Sequence, residues 1–464
     1  TTIENATNSG SKSVATITDT AAAIAGSSNA VLANAAGAVT ASTAATIAQA
    51  NTIAGFITSV TYSISDVAAN IAAGAGLNEA VNITITDDVT IAQATTIENA
   101  TNSGSKSVAT ITDTAVAIAG SSNAVIANAA GAVTASTAAT IAQANTIAGF
   151  ATSVTYSISD VAANIAAGAG LNEAVNITIT DNVTATQAKT IDDAGNSGVN
   201  SYAVTDTFTN ITMATNNAAI AAATAITATG DASITDSQHD TIAPKTTATG
   251  SNTLTFTDAA SITVIPSVES YILANFTNSI TLSDSGHTIT GGSGADTIVG
   301  GGGVDTITGG VGADIMSGGG GTDTFIIGAA DSLNTSLDKI SDYTAGTDIL
   351  DLEIIPTSLA ATTGSDFSTA NNVNSTGATS GSLATDIATA ITAQRAVNTN
   401  FWKQTGDTIA FKLLGTSVAG TDVTYVVQHQ TGGNSNIYID TRDTVVALVG
   451  TSTAPTTLAD LSGI

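Results

Sequence analysis

Apolar and polar positions alternate in short β-branched segments, SVTYSISD over 59–66 and VNITITDD over 81–88, separated by Ala-rich stretches such as VAANIAAGAGLNEA. The period of two predicts strands, and the spacing of Ala, Ile and Asn in the second kind predicts short helices. Strand starts recur about every 23 residues, a coil length typical of solenoids with one strand and one helix per turn. The expectation is an α/β solenoid, with a pure β-helix as the alternative that the Thr and Val content supports.

The same pattern repeats at longer range. Residues 1–56 recur almost unchanged at 95–150, and the segment from Thr58 recurs from Thr152, an offset of 94. Inside each copy Ile17-Thr18-Asp19 returns as Ile64-Ser65-Asp66, a shift of 47, and this core appears again at Ile111 and Ile158. A third copy opens at Lys189 and drifts until about Lys245. Asp19, Asp66, Asp113 and Asp160 each close a strand and open an Ala-rich stretch. That place suits a helix N-cap, whose carboxylate accepts from free backbone N–H groups, and calcium ligation is the alternative. Many sequences satisfy a packing core, so near-identical copies point to an outer face presented repeatedly.

From 246 to 290 the Ala-rich spacing fades and short runs such as TLTFTD and SITVIP take over. From Gly291 the chain reads GGSGADTIV, GGGGVDTIT, GGVGADIMS and GGGGTDTFI, four contiguous nonapeptides. Asp296, Asp305, Asp314 and Asp323 hold the sixth place, and Ile298, Ile307, Met316 and Phe325 hold the eighth. Linkers do not keep an apolar residue in register over four repeats. Counting back by nine puts Ile289, Ile280 and Tyr271 at the inward place and His287, Asn278 and Glu269 at the Asp place. The stack is therefore expected to begin near Val264 with turns that lack a full ligand set.

These nonapeptides resemble the repeats-in-toxin (RTX) family, whose G-G-x-G-x-D-x-U-x motif binds calcium in a parallel β-roll. Gly opens backbone conformations closed to other residues, and each Asp adds a hard anionic oxygen suited to calcium. The resemblance implies that Asp296 pairs with Asp314 on one side of the roll and Asp305 with Asp323 on the other. It also implies ligand turns built on Gly291, Gly294, Gly300, Gly303, Gly309, Gly312, Gly318 and Gly321, giving two well-formed sites, with room for one or two more. The segment DKISDYTAGTDILDL from Asp338 resembles the cap that follows such rolls. Beyond it, IAFKLLG, DVTYVVQHQ, NIYIDTRDTVVALVG and TLADLSGI read as strands of a small β domain. The resemblance implies an uncleaved type I secretion signal at this end, in keeping with an N-terminus that shows no cleavable one.

Composition narrows the partners. Among 464 residues, 37 acidic against 9 basic side chains leave a formal charge of −28, which disfavours nucleic acid and anionic membranes and favours divalent cations. Hydrophobic residues reach 43% with only 4% aromatic, as thin layers of small side chains would have. Cys is absent, which excludes disulfides and thiolate metal sites, and no run of about 18 apolar residues offers a membrane span.

The chain has neither H-E-x-x-H nor G-x-S-x-G, and His239, His287 and His429 are scattered. Gln238-His239-Asp240 reads as a solvated surface stretch. The domains expected are solenoid repeats over 1–245, a β-solenoid with the calcium-binding roll over 246–330, and a C-terminal capping and secretion domain over 331–464. The function expected is a secreted, non-enzymatic structural protein on the bacterial cell surface. It would self-associate into a calcium-dependent layer, sheet or filament, with cell-surface polysaccharide as a candidate anchor. An adhesin with the repeats as its stalk is the alternative.

Overall fold

Many of the short helices in the Ala-rich stretches start on a hydroxyl residue that caps them, whereas Ala75–Asn78 and Ala169–Asn172 start on Gly74 and Gly168 with no side-chain cap. In the computed structural model Thr46 and Thr140 precede the helices Ile47–Ala54 and Ile141–Ile147. Each Thr hydroxyl accepts from the amide of Gln49 or Gln143, whose side chain returns to the Thr amide, a reciprocal cap that satisfies two otherwise free donors. Each helix turns one face inward, Ile47, Ala50 and Ile53 in the first and Ile141, Ala144 and Ile147 in the second. The central Ala lets the helix sit close to the layer beneath it.

The structure describes residues 2, 4–7, 10–333, 335–352, 358–361, 407–413, 423–429, 443–449 and 461–462. Contacts divide the chain into two units, Thr1–Val183 with Gln187–Tyr202, and Thr184–Thr186 with Ala203–Ile464.

The first unit is built of parallel strands joined by these short helices. Ile17–Asp19, Val39–Ala41 and Val60–Thr61 form one sheet, and a second runs through Ile64–Asp66, Ile83–Val89, Lys106–Asp113, Val133–Ala135 and Val154–Thr155. The register pairs Ile17 with Val39, Ile64 with Ile83 and Ile83 with Lys106, steps of 22, 19 and 23 residues, so coil length varies about the expected value. The short coil has only a 3-10 turn, Ala68–Asn70, and the helix Ala75–Asn78, where the longer coil from Ile17 holds two helices, Ala21–Ala25 and Asn29–Leu32. The segment 59–66, expected as one strand, is split into Val60–Thr61 and Ile64–Asp66, which belong to different sheets. Between them Tyr62 turns inward and donates its hydroxyl to Gly76 O at 2.9 Å.

The recurring Asp residues do not cap the helices that follow them. Thr20 and Thr114 cap those after Asp19 and Asp113, and the 3-10 turns after Asp66 and Asp160 have no side-chain cap. The carboxylates of Asp66, Asp113 and Asp160 instead accept from the first helical amide of the preceding coil, that of Ile47, Ile91 and Ile141, at 2.7, 2.9 and 2.8 Å. Stacking of coils brings a side chain at the end of one strand over the start of the helix before it, so the cap is made across coils. Asp66 and Asp160 also accept from their own Val67 and Val161 amides and from Asn70 and Asn164. Burial alone would raise both pKa values, but these donors outweigh it and hold them below the ordinary carboxylate range.

In the second unit the strands shorten and two parallel sheets alternate along the chain. One aligns Ala232, Leu254, Tyr271, Ile289, Ile307, Phe325 and Leu350, and the other Ile262, Ile280, Ile298, Met316 and Ile340. From Tyr271 and Ile262 onward partners lie 18 residues apart until Met316 and Phe325, after which the step lengthens to Ile340 and Leu350. The aligned residues from Tyr271 and Ile280 onward are sealed in the interior. The sheets begin at Ala232–Ile234 and Ser261–Thr263, and the regular 18-residue step in the second sheet opens at Ile262, close to the start expected near Val264.

The C-terminal strands extend this roll. Thr444–Val449 pairs in parallel with Asp338–Ile340, and Val423–Gln428 runs antiparallel between Thr444–Val449 and Asp407–Leu413. Leu461–Ser462 adds to the other sheet beside Ile349–Leu352. Of the segments expected to form strands here, 436–442 and most of TLADLSGI, where the secretion signal was expected, lie outside the described residues. Among the described residues no helix is long and apolar enough to cross a membrane.

Candidate metal centre

Each nonapeptide contributes a Gly-rich turn ending in Asp and then a three- or four-residue strand, so turns alternate between the two edges of the roll. Turns 291–296 and 309–314 share one edge, and 300–305 and 318–323 the other. The amide of Asp296 donates to Oδ1 of Asp314 at 2.7 Å, and that of Asp305 to Oδ1 of Asp323 at 2.9 Å. The pairs expected from the motif are thus neighbours in the fold. Asn278 and His287 occupy the Asp place of earlier turns, their amides donating to Oδ1 of Asp296 and Asp305, both at 2.8 Å. His287 is held by Ser283 Oγ and Val268 O, at 2.7 and 2.9 Å from its ring nitrogens, and brings no carboxylate.

The glycines are needed because the turns stack backbone on backbone. A Cβ at Gly291, Gly300, Gly312 or Gly321 would overlap the carbonyl oxygen of Gly309, Gly318, Gly294 or Gly303, respectively. At Gly294 and Gly303 it would meet the backbone of Phe276 and Ser285, and at Gly309 and Gly318 the carboxylate of the same turn. Gly310 and Gly319, with φ of +87° and +83°, add a left-handed conformation that side chains disfavour. The outcome is two columns of crowded carbonyl oxygens with a buried carboxylate in every turn.

Those carboxylates are costly as they stand. Asp296, Asp305, Asp314 and Asp323 are each at most 1% exposed, and among the described residues none is paired with Lys or Arg. Burial raises all four carboxyls, those of Asp314 and Asp323 up to about 6, and the backbone amides that donate to them do not cancel the effect. Oδ2 of Asp314 is buried without a hydrogen-bond partner. Buried charges are normally paired or bound to metal, and a hard divalent cation with flexible, oxygen-rich coordination fits this donor set. No group of three His, Cys, Asp or Glu converges among the described residues, so an ion here would draw most of its ligands from carbonyl oxygens.

Two carboxylates escaped the motif count. Asp338 and Asp348 continue the columns, accepting from the amides of Asp314 and Asp323 at 3.0 and 3.1 Å. The period of nine is lost before them, but Asp338-Lys339-Ile340 and Asp348-Ile349-Leu350 keep Asp two places before an inward apolar residue, which is the signal to look for. Burial pushes the Asp338 carboxyl up to about 8, and the charges of Asp314 and Asp331 add to the rise.

His239, expected in solvent, is only 1% exposed. It lies on the inward face of the helix Asp236–Ile242, its ring centroid 5.7 Å from that of Phe256 and 6.2 Å from that of Tyr271. Burial lowers its pKa, and neither ring nitrogen has a hydrogen-bond partner, so it serves as a neutral core residue. His429 lies 3.1 Å from Asp443 in a separate buried pair.

Residues 290–325 match the RTX calcium-binding nonapeptide repeat family in four copies. Repeats of this family bind Ca2+. No curated protein matches the chain.

Proposed function

We propose that this chain is an extracellular structural protein whose stacked coils assemble into a calcium-dependent surface layer, sheet or filament. The observation that carries the reading is the sameness of the two copies in the first unit. Only six places differ between residues 1–94 and 95–188: 22/116, 32/126, 57/151, 88/182, 91/185 and 92/186. Core positions elsewhere tolerate many apolar choices, whereas here some exposed apolar residues recur, as with Val67 and Val161, each 40% exposed, although the exposed Ile57 and Val116 stand opposite Ala151 and Ala22 in the other copy. A face repeated with few changes offers a similar lateral contact at each repeat.

Calcium locks this assembly through Asp296 with Asp314 and Asp305 with Asp323, together with the carbonyl oxygens of their turns. In a low-calcium cytoplasm the Gly-Asp segment stays unfolded through charge repulsion and glycine entropy, and outside the cell calcium binding drives its folding. Export and folding are thereby coupled, and the chain performs no catalysis.

The test is negative-stain electron microscopy of the purified chain with and without about 5 mM calcium, above the affinity range of extracellular calcium modules. Ordered sheets or filaments that need calcium support the reading. Dispersed particles in both conditions overturn it and favour an adhesin stalk.

A further inference from the structure

Two histidines stand at the ends of one file of buried rings, and only one of them has polar company. His239, Phe256, Tyr271 and His287 follow one another with ring centroids 5.7, 6.4 and 6.3 Å apart. His287 has Ser283 Oγ and Val268 O against its ring nitrogens. His239 is 1% exposed, and neither of its nitrogens has a hydrogen-bond partner. The surroundings of His239 offer no acceptor for a charged ring. The Tyr271 hydroxyl is taken up by the backbone of Ile265, and burial pushes that phenol up, so it stays neutral. Glu269, beside Tyr271, accepts from Asn252 N. The strands Thr253–Phe256 and Ser261–Thr263 and the helix Asn217–Ala222 bring no ionisable side chain. Lys245, in the turn that follows the helix of His239, donates to the carbonyls of Ala221 and Ala223. The carboxylates that act on the ring, Asp240 and Asp236, belong to its own helix: Asp240 is exposed, and Asp236 accepts from Ser261 N at 2.8 Å.

That helix, Asp236–Ile242, lies where the roll begins. The first strand of one sheet, Ala232–Ile234, runs directly into it, and the first strand of the other, Ser261–Thr263, is tied to it through Asp236. His239 and Ile242 are the residues it buries. A protonated imidazole carries two donors and a charge that must meet an acceptor or water, and His239 reaches either only when the helix lifts and turns its ring outward. We propose that His239 is an acid-operated release for the leading end of the roll: protonation of its ring unseats the helix Asp236–Ile242 and frees the first strands of both sheets. Burial holds the folded ring below its ordinary titration, against the opposing pull of Asp240 and Asp236, so the released segment takes the proton first. The seat is therefore at full strength above the ordinary imidazole value of about 6.5. It weakens about tenfold for each pH unit below that value, until the folded ring itself titrates. No metal takes part, so the release stands apart from the calcium reading of the roll.

Hydrogen exchange of the full chain in calcium between about pH 7 and about pH 5, corrected for the intrinsic pH dependence of exchange, tests the release, because ordinary carboxylates with pKa of about 4 stay ionised over that range. In wild type, protection over 232–242 and 253–263 is expected to fall about tenfold per pH unit below about 6.5. His239→Leu fills the same place with a side chain that cannot charge, and it is expected to hold its protection across the range. Every carboxylate and every Gly-Asp turn is the same in both proteins, so an acid response that they share cancels in the comparison. An equal fall in the two proteins, or none in either, overturns the proposal. Should His239→Leu fail to fold, the His239 ring followed by NMR in wild type decides. A ring that stays neutral through the ordinary value and takes its proton only as 232–242 loses protection supports the release. A ring that charges while these amides stay protected, or that is still neutral at pH 5 with their protection unchanged, overturns it.

Discussion

The backbone amide of Asp305 donates to Oδ1 of Asp323 at 2.9 Å, so this oxygen ties stacked turns together and Oδ2 of Asp323 remains for an ion. Asp323→Asn retains the tie and removes the charge. Such a variant should lose calcium-linked stabilisation, while at neutral pH its calcium-free roll should be no less stable than that of wild type, because the buried charge is gone. At calcium a hundredfold above Kd, one lost ion corresponds to about 2.7 kcal/mol. Denaturant melts of both proteins in calcium and in chelator check this. An equal calcium-dependent gain in both would remove Asp323 from the ligand set.

Gly319 and Gly320 are neighbours with opposite tolerance. Gly319 has φ of +83° and no room for a Cβ against Gly301 O, whereas a Cβ at Gly320 would come no closer than 3.8 Å to its nearest neighbour, Gly302 Cα. Gly319→Ala is expected to cost about 2 kcal/mol or more, from left-handed strain of about 1–2 kcal/mol plus the displaced turn. Gly320→Ala should change stability by about 0.5 kcal/mol or less. Urea melts in calcium compare the pair.

In the first unit, Asp66→Ala strands the buried amide of Ile47 along with the donors of Val67 and Asn70. Leaving such a donor unsatisfied costs about 1–3 kcal/mol. Asp160→Ala, the same position 94 residues on, should cost a similar amount, and the two should add. Thermal melts of the single and double variants test it, with a neutral double variant as the contrary result.

Acid should act on the two units with opposite sign. Asp66 and Asp160 have folded pKa values below the ordinary range, so their contribution is present above about pH 4 and is lost as pH falls through the folded values. Asp314 and Asp323 are raised to about 6 and Asp338 to about 8, so the metal-free roll holds protons that the unfolded chain releases. Its stability is greatest at low pH and declines as pH climbs from about 4 to about 8. Hydrogen exchange in chelator at pH 5 and pH 8 should show the roll better protected at pH 5. Calcium should reverse that order, because it binds the ionised carboxylates.

Repeats were legible wherever the same residue type had to return at the same place. The inward column from Tyr271 to Phe325 and the Asp column beside it are read directly from a period of nine, because each coil packs the same residue on its neighbour. Asp338 and Asp348 lie beyond turns of other lengths, so counting loses them although their chemistry is unchanged. The partner of Asp66 was hidden for a related reason. Its carboxylate meets an amide 19 residues earlier, and that meeting depends on how coils stack and on nothing adjacent in the chain. His239 was misplaced because a polar triplet at the end of a drifting repeat carries no mark of the face that its helix buries.

The central claim is that calcium folds the Gly-Asp roll. Its most direct test is hydrogen exchange across 291–325 in the chelator-treated full chain as calcium is added at neutral pH. Amides of Asp296, Asp305, Asp314 and Asp323 should pass from rapid exchange to strong protection as calcium binds. Equal protection of these amides in chelator and in calcium would contradict the account.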